Sequence, residues 1–249
     1  MNGRRVVYGL HAVTAALKRR PEAVFEVFLD ARRTDPRVRG VADLAKAAGV
    51  PLHEADAGRL DGFAKGGRHQ GIAAFVEDVA LAASLNEVLD DLAEPAFLLV
   101  LDGVQDPHNL GACLRVADAM GVHAIVAPRD RATGLNATAH KVASGAAETV
   151  PFIPVTNLAR TLRELKDKGI VVIGAAEGEG GTLFEAKLSG PLALVLGAEG
   201  EGLRRLTRET CDELISIPML GQVESLNVAV AAGICLYEAR RQRHRSTGR

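Results

Sequence analysis

Leu192-Ala-Leu-Val-Leu-Gly-Ala-Glu-Gly-Glu-Gly202 decides how this chain is read: five apolar residues run without a polar break into a glycine-rich loop. An uninterrupted apolar strand is buried on both faces, which places it inside a mostly parallel sheet covered by helices. In open sheets of that kind, ligands sit where strands exit at their carboxyl ends. The loop spacing is G-x-x-G-x-G, the reverse of the dinucleotide fingerprint. Glu199 and Glu201 would repel a pyrophosphate at close range, so the loop suits a phosphate-free ligand with cationic character, or is simply a tight turn.

Outward from this segment, similar strands are predicted at Phe97–Leu101, Ala124–Ala127, Val150–Val155, Ile170–Ile173 and Leu214–Ile217. Helices are predicted at Leu110–Met120, Leu158–Lys168 and Leu226–Arg241. The run Val171-Val-Ile-Gly-Ala-Ala-Glu-Gly-Glu-Gly180 echoes Leu194–Gly202, as two strand exits on one sheet edge would. Upstream, strands at Phe25–Leu29 and Ile72–Val76 alternate with helices at Gly9–Arg19 and Pro36–Ala48, a smaller α/β unit. The expected division is a domain at 1–78, a linker at 79–95, and a larger domain at 96–249 ending in a short basic tail.

Composition narrows the class. The chain has 249 residues, 47% of them hydrophobic, and a net charge of −1, which suits a globular protein of one large or two modest domains. No apolar run approaches the roughly 20 residues of a membrane span, and no signal-peptide core is seen, so a cytoplasmic location is expected. Three dispersed cysteines, Cys113, Cys211 and Cys235, support neither a disulfide framework nor a metal site and read as buried side chains. Basic residues cluster locally at Lys18–Arg20, Arg32–Arg39, Lys65 with Arg68, Arg129 with Arg131, and Arg240–Arg245. These are either patches for an RNA backbone or solvated helix faces and a tail.

Two further segments carry chemistry. In Asp102-Gly-Val-Gln-Asp-Pro-His-Asn-Leu-Gly-Ala-Cys-Leu-Arg115, Asn109 reads as a helix N-cap, with Arg115 in the first third of that helix. A cation there gains nothing from the helix dipole, which points to a phosphate or carboxylate partner. Ser225-Leu-Asn-Val-Ala-Val-Ala-Ala-Gly233 opens the last helix, with Ser225 as a cap or as a side chain converging on the Gly197 loop. Its small residues permit close helix packing, within the chain or against a second subunit.

With Leu135-Asn-Ala-Thr138, Arg204-Arg-Leu-Thr-Arg208 and Ile215-Ser-Ile-Pro218, these segments resemble the SpoU/TrmH family of S-adenosylmethionine-dependent RNA 2′-O-methyltransferases. Within it, the likeness is to enzymes acting on a guanosine of bacterial 23S rRNA. Tyr8-Gly-Leu-His-Ala-Val13 and His69-Gln-Gly-Ile72 are similar to the family's N-terminal RNA-binding domain of L30e-like fold. The resemblance implies a SPOUT α/β domain with a deep trefoil knot, a homodimer, and 23S rRNA or a large-subunit assembly intermediate as partner. From the cysteine pattern and the short apolar runs, no metal and no membrane partner is expected. The resemblance places functional side chains at Asn109, Arg115, Glu199, Ser225 and Asn227, and S-adenosylmethionine against Gly197, Ile217 and Leu226. The family's suggested base falls on Arg115, but a guanidinium rarely yields its proton, so the expected role is to clamp a phosphate and polarise the hydroxyl while Asn109 orients it. Gln222-Val-Glu224 stands where smaller polar residues are expected. Competing readings are methylation of tRNA or of another rRNA nucleotide, and a non-catalytic RNA-binding assembly factor, which would not bind S-adenosylmethionine. A nicotinamide enzyme is disfavoured by the glycine order.

Overall fold

The computed structural model describes residues 4–30, 32–33, 35–77, 84–178, 180–223 and 225–246. The chain divides into two compact units, Met1–Ala80 and Leu81–Arg249. Glu224 and residues 79–83 of the expected linker lie outside the described residues.

The first unit runs β1 (Arg4–Tyr8), α1 (Leu10–Arg19), β2 (Val24–Asp30), α2 (Pro36–Ala47), β3 (Leu52–Ala55), α3 (Ala57–Ala64) and β4 (Ile72–Glu77). Its sheet has the order β1-β4-β2-β3, antiparallel except for the β2–β3 pair. Val13, Val27, Ala45, Ile72 and Ala74 are fully buried in its main core. Phe28, Leu60 and Ala73 anchor a smaller cluster.

The second unit begins with α4 (Leu85–Asp90), within the stretch expected as linker; its Val88 joins a core cluster of this unit. Then follow β5 (Phe97–Asp102), α5 (Pro107–Met120), β6 (Ala124–Pro128), α6 (Ala137–Ala143), β7 (Phe152–Val155), α7 (Leu158–Asp167), β8 (Val171–Ala175), β9 (Gly181–Thr182), β10 (Leu192–Gly197), α8 (Arg205–Thr210), β11 (Glu213–Ser216) and α9 (Val228–Ser246). The sheet order is β7-β6-β5-β10-β8-β11-β9, and every pairing is parallel.

Alternation along the central strands explains their apolar runs. Phe97, Leu99, Leu101, Leu192, Leu194 and Leu196 face one core cluster, which takes Leu110, Leu114 and Ala117 from α5 and Ala232, Leu236 and Ala239 from α9. Leu98, Val100, Ala193 and Val195 face the other, with Leu158, Leu162 and Leu165 from α7. Both faces of the sheet are thus covered, as a parallel sheet requires.

Gly111 sets how closely α6 approaches α5: a Cβ there would fall 2.6 Å from the Ala139 carbonyl oxygen and 2.7 Å from Val142 Cβ. Asn136 caps α6, its Oδ1 accepting from the Ala139 amide at 3.0 Å. Two motif residues are therefore architectural. The basic run 240–245, expected as a tail, is helical; Arg243 is 6% exposed, its guanidinium stacked on Phe97 and donating to the carbonyls of Pro95, Ala96 and Gly190. Cys113 and Cys235 are buried, and burial pushes both thiols up to about 12. Cys211 is only partly buried, contrary to the expectation for it, because it sits just past α8 with its thiol donating to Thr207 O.

Candidate active site

The carboxyl ends of β8, β10 and β11 open into a cleft of about 400 Å³. Gly197, Glu199, Ile217, Ser225 and Leu226 all line it, so five of the eight expected site residues converge on one cavity. Its apolar wall comes from Leu196, Ile215, Ile217, Leu226 and Val228; Glu177, Glu199 and Glu201 bring carboxylates. The echoing strand exits at Ala175–Glu177 and Gly197–Gly202 are neighbours here, because β8 and β10 pair in parallel.

The glycine loop closes on itself. Ala198 and Gly202 form an antiparallel bridge, with the Gly202 amide donating to the Ala198 carbonyl at 2.9 Å. A Cβ on Gly197 would fall 2.0 Å from the Gly202 carbonyl carbon, so this glycine is required by its own loop rather than by a ligand. Gly200 and Gly202 turn the chain at φ 80° and 64°, left-handed conformations that disfavour other residues. Asp102, at the end of β5, is buried and holds the residue after the loop: its Oδ2 accepts from the Arg204 amide at 2.9 Å and its Oδ1 pairs with the Arg204 guanidinium. Sequence reading passed over Asp102 as a site-shaping residue, although an acid closing a wholly apolar strand was the signal.

Asn109 is not the cap of α5. That helix starts at Pro107, and Asp106 caps it by accepting from the His108 amide at 2.8 Å. Proline is suited to the first helical position, and Asp before it is a strong cap, so the Asp-Pro pair outcompetes Asn109. Asn109 is left free to face α9. Ser225 does not cap α9 either: Asn227 Oδ1 accepts from the Ala229 amide at 3.0 Å, and the Ser225 hydroxyl has no hydrogen-bond partner among the described residues.

This cap fixes the polarity of a hydrogen-bond chain. Because an amide N–H only donates, the Asn227 atom facing Ala229 is the oxygen, and its Nδ2 points the other way. That Nδ2 donates to Asn109 Oδ1 at 2.9 Å and lies 3.5 Å from Glu199 Oε2. Asn109 must then present its own Nδ2 outward, a donor with no partner among the described residues. Arg115 lies apart. It is the ninth residue of α5, beyond the first turn where the helix dipole acts, so the dipole reading of its position does not hold. Six residues from Asn109, it projects about 120° around the helix from it. It is exposed, with no ion-pair partner among the described residues, and does not line the cleft.

Sequence comparison matches residues 96–237 to the SpoU rRNA Methylase family, and residues 6–81 to a family described as RNA 2′-O ribose methyltransferase substrate binding. The chain belongs to the SpoU rRNA methylase family. It is 58% identical over 243 residues to a 23S rRNA (guanosine-2′-O-)-methyltransferase RlmB of Ralstonia nicotianae, covering 98% of each chain. A Bordetella pertussis protein of the same name is 55% identical, covering 98% of this chain and 99% of its own. Among solved structures, the SpoU methyltransferase AviRb from Streptomyces viridochromogenes, in complex with the cofactor AdoMet, superposes with a TM-score of 0.73 at 25% identity, covering 98% of this chain and 92% of that one. The SpoU fold accounts for the parallel sheet and for a cleft at its carboxyl edge. No described helix of this SpoU protein is long and apolar enough to cross a membrane, and no cluster of metal-ligating side chains occurs among the described residues.

Proposed function

We propose that this chain transfers the methyl group of S-adenosylmethionine to the ribose 2′-oxygen of a guanosine in 23S rRNA. The observation that carries the reading is the cleft itself, an acid-bearing, partly apolar cavity beside an outward-facing Asn109 amide, in a SpoU-family chain. The residues present fit the methyl donor: apolar side chains suit a purine, and carboxylates favour a sulfonium cation while disfavouring phosphates. Gly197, Ile217 and Leu226 would hold it, and it supplies an electrophilic methyl group on a good leaving group.

What remains for the protein is positioning and help with a weakly acidic hydroxyl proton. Asn109 Nδ2, oriented through Asn227, donates to the ribose oxygen region. Glu199 steadies Asn227, and Ser225 supplies a further hydroxyl at the cleft mouth. Arg115 keeps its charge at neutral pH and grips the phosphate of the target nucleotide through its bidentate fork. Since Arg115 is exposed and does not line its own chain's cleft, the reading includes a homodimer in which a second copy completes the RNA side. Val230, Ile234 and Tyr237 support this, forming an exposed apolar stripe on α9 at 51%, 38% and 63% exposure. The small residues of α9 do not form that stripe; Ala229 and Ala232 are buried, and Gly233 faces Val116 of α5. A knotted methyltransferase domain at 96–249, an RNA-binding domain at 1–78 and a cytoplasmic setting complete the reading.

Mapping 2′-O-methylation across ribosomal and transfer RNA, with and without this protein, tests it. The expected result is loss of one guanosine modification in 23S rRNA. Loss of no site overturns the enzymatic reading, and loss of a tRNA site overturns the substrate. Retention of near-normal turnover by Arg115→Lys would remove the bidentate clamp from it.

A further inference from the structure

A second cleft, of about 320 Å³, opens in the N-terminal unit where the 65–71 loop meets the start of α1. That size is near the lower end of the roughly 300–1,000 Å³ usual for small-ligand sites. The loop is built tightly. Gln70 Oε1 accepts from the Leu10 amide at 3.1 Å, and Lys65 and Gln70, neither a glycine, take left-handed backbone at φ 47° and 55°. Such conformations persist only where the surroundings impose them.

Three arginines line the cleft. Arg37 is compensated by Asp35 at 3.0 Å. Arg33 feels the charge of Asp35 but forms no ion pair with it: its Nη1 donates to the Gln70 carbonyl at 3.1 Å while its stem packs on Gly71, where a Cβ would fall 2.5 Å from Arg33 Cδ. Arg68 is exposed, and neither it nor Arg33 forms an ion pair with a carboxylate among the described residues. Tyr8 does not line the cleft but lies against Gly67, which does, so close that a Cβ on Gly67 would meet the Tyr8 hydroxyl at 2.3 Å, yet the tyrosine remains 39% exposed. The cleft also holds an oriented acceptor. The Gly71 amide donates to His69 Nδ1 at 3.1 Å, so the proton sits on Nε2, which faces Asp61 Oδ1 at 3.1 Å.

We propose that this cleft receives an unstacked nucleotide of the RNA substrate, its phosphate held by Arg33 and Arg68, its base against Tyr8, and its N–H or 2′-hydroxyl donated to Asp61. Guanidinium forks suit phosphate, exposed aromatic rings suit splayed bases, and both are the means by which proteins read unpaired RNA. The cleft is therefore a recognition point for a loop or bulge. The proposal rests on the RNA-methylating reading above.

The test uses the full chain and a 23S rRNA transcript, with filter binding over a salt series alongside methyl transfer from tritiated S-adenosylmethionine. Arg68→Glu and Tyr8→Leu are each expected to raise the KM for RNA at least tenfold while leaving kcat and S-adenosylmethionine affinity unchanged. Arg68→Glu should also lower the salt slope of binding by about 0.7, the share of one phosphate contact on a single strand. Arg33 supports the loop backbone, so Arg68, whose side chain bonds nothing among the described residues, carries the decision. Unchanged RNA KM and salt slope in both variants overturns the proposal. A wild-type chain that binds the transcript but transfers no methyl group overturns the enzymatic reading alone, because the binding arm still decides the cleft.

Discussion

Gly197 has no room for a methyl group, since the backbone of its own loop lies 2.0 to 2.4 Å from where a Cβ would stand. Gly197→Ala is therefore expected to force the Ala198–Gly202 bridge apart, lowering stability by about 1–3 kcal/mol in urea titration and abolishing S-adenosylmethionine binding by calorimetry. Asn227 permits a cleaner separation of roles. Asn227→Asp keeps the oxygen that caps α9 but replaces the donor to Asn109 with a second carboxylate near Glu199. Helix content should be retained while kcat falls about 10–100-fold, the loss of roughly 1.4–2.7 kcal/mol of transition-state positioning. Unchanged turnover would remove the asparagine pair from the chemistry. The identities of Asn109 and Asn227 were legible in the sequence, but their jobs were not. Caps at Asp106 and Asn227 are local choices among several competent residues, and an asparagine beside a Ser or an Asp-Pro pair does not announce which one wins.

Among elements, the long apolar strands were the most readable. Phe97–Asp102 and Leu192–Gly197 differ by one residue from their predicted limits, because burial on both faces leaves no polar residue to blur the pattern. The short, polar elements β1, β3, α3, α6 and α8 went unpredicted; Leu52-His-Glu-Ala55 and Arg205–Thr210 are too brief for periodicity to assert itself. α9 runs further than predicted because its charged end is fastened. Arg241 donates two hydrogen bonds to Glu238, and Gln242 ties the same carboxylate to the Ala186 carbonyl and the Leu188 amide. The hydrogen bond from Arg241 is the main reason that the Glu238 carboxyl is held at about 2, below its ordinary 4.5. A depressed carboxyl stabilises the fold fully above its unfolded value and loses that contribution as pH falls through the window from about 4.5 to about 2. Glu238→Gln should then be less stable than wild type near pH 7, with the difference shrinking towards about pH 2 in urea midpoints. A difference that does not narrow in acid would assign the residue a packing role.

At the scale of the whole molecule, two cores of different construction share one chain. The change from short mixed strands to long apolar ones was visible in the sequence, whereas the stretch expected as a linker at 79–95 did not disclose that α4 belongs to the second core. The proposed homodimer assigns the exposed stripe of α9 to the interface. Val230→Glu with Ile234→Glu alters exposed side chains and should leave the fold intact while shifting sedimentation equilibrium from dimer to monomer and abolishing methyl transfer. A wild-type chain that sediments as a monomer would overturn the dimer.

The Arg243 clamp has a further meaning in time. Its guanidinium closes on the carbonyls of Pro95 and Ala96, 148 and 147 residues earlier, and on Gly190. At synthesis rates of about 5–20 residues per second, those carbonyls wait roughly 7–30 s for their donor. Throughout that interval the apolar face of α5 also lacks its α9 cover. The N-terminal unit, whose strands are complete by Glu77, has no such delay. The N-terminal unit can thus fold well before the larger unit can close, and the larger unit is the one whose apolar surface waits longest for cover while the chain is being made.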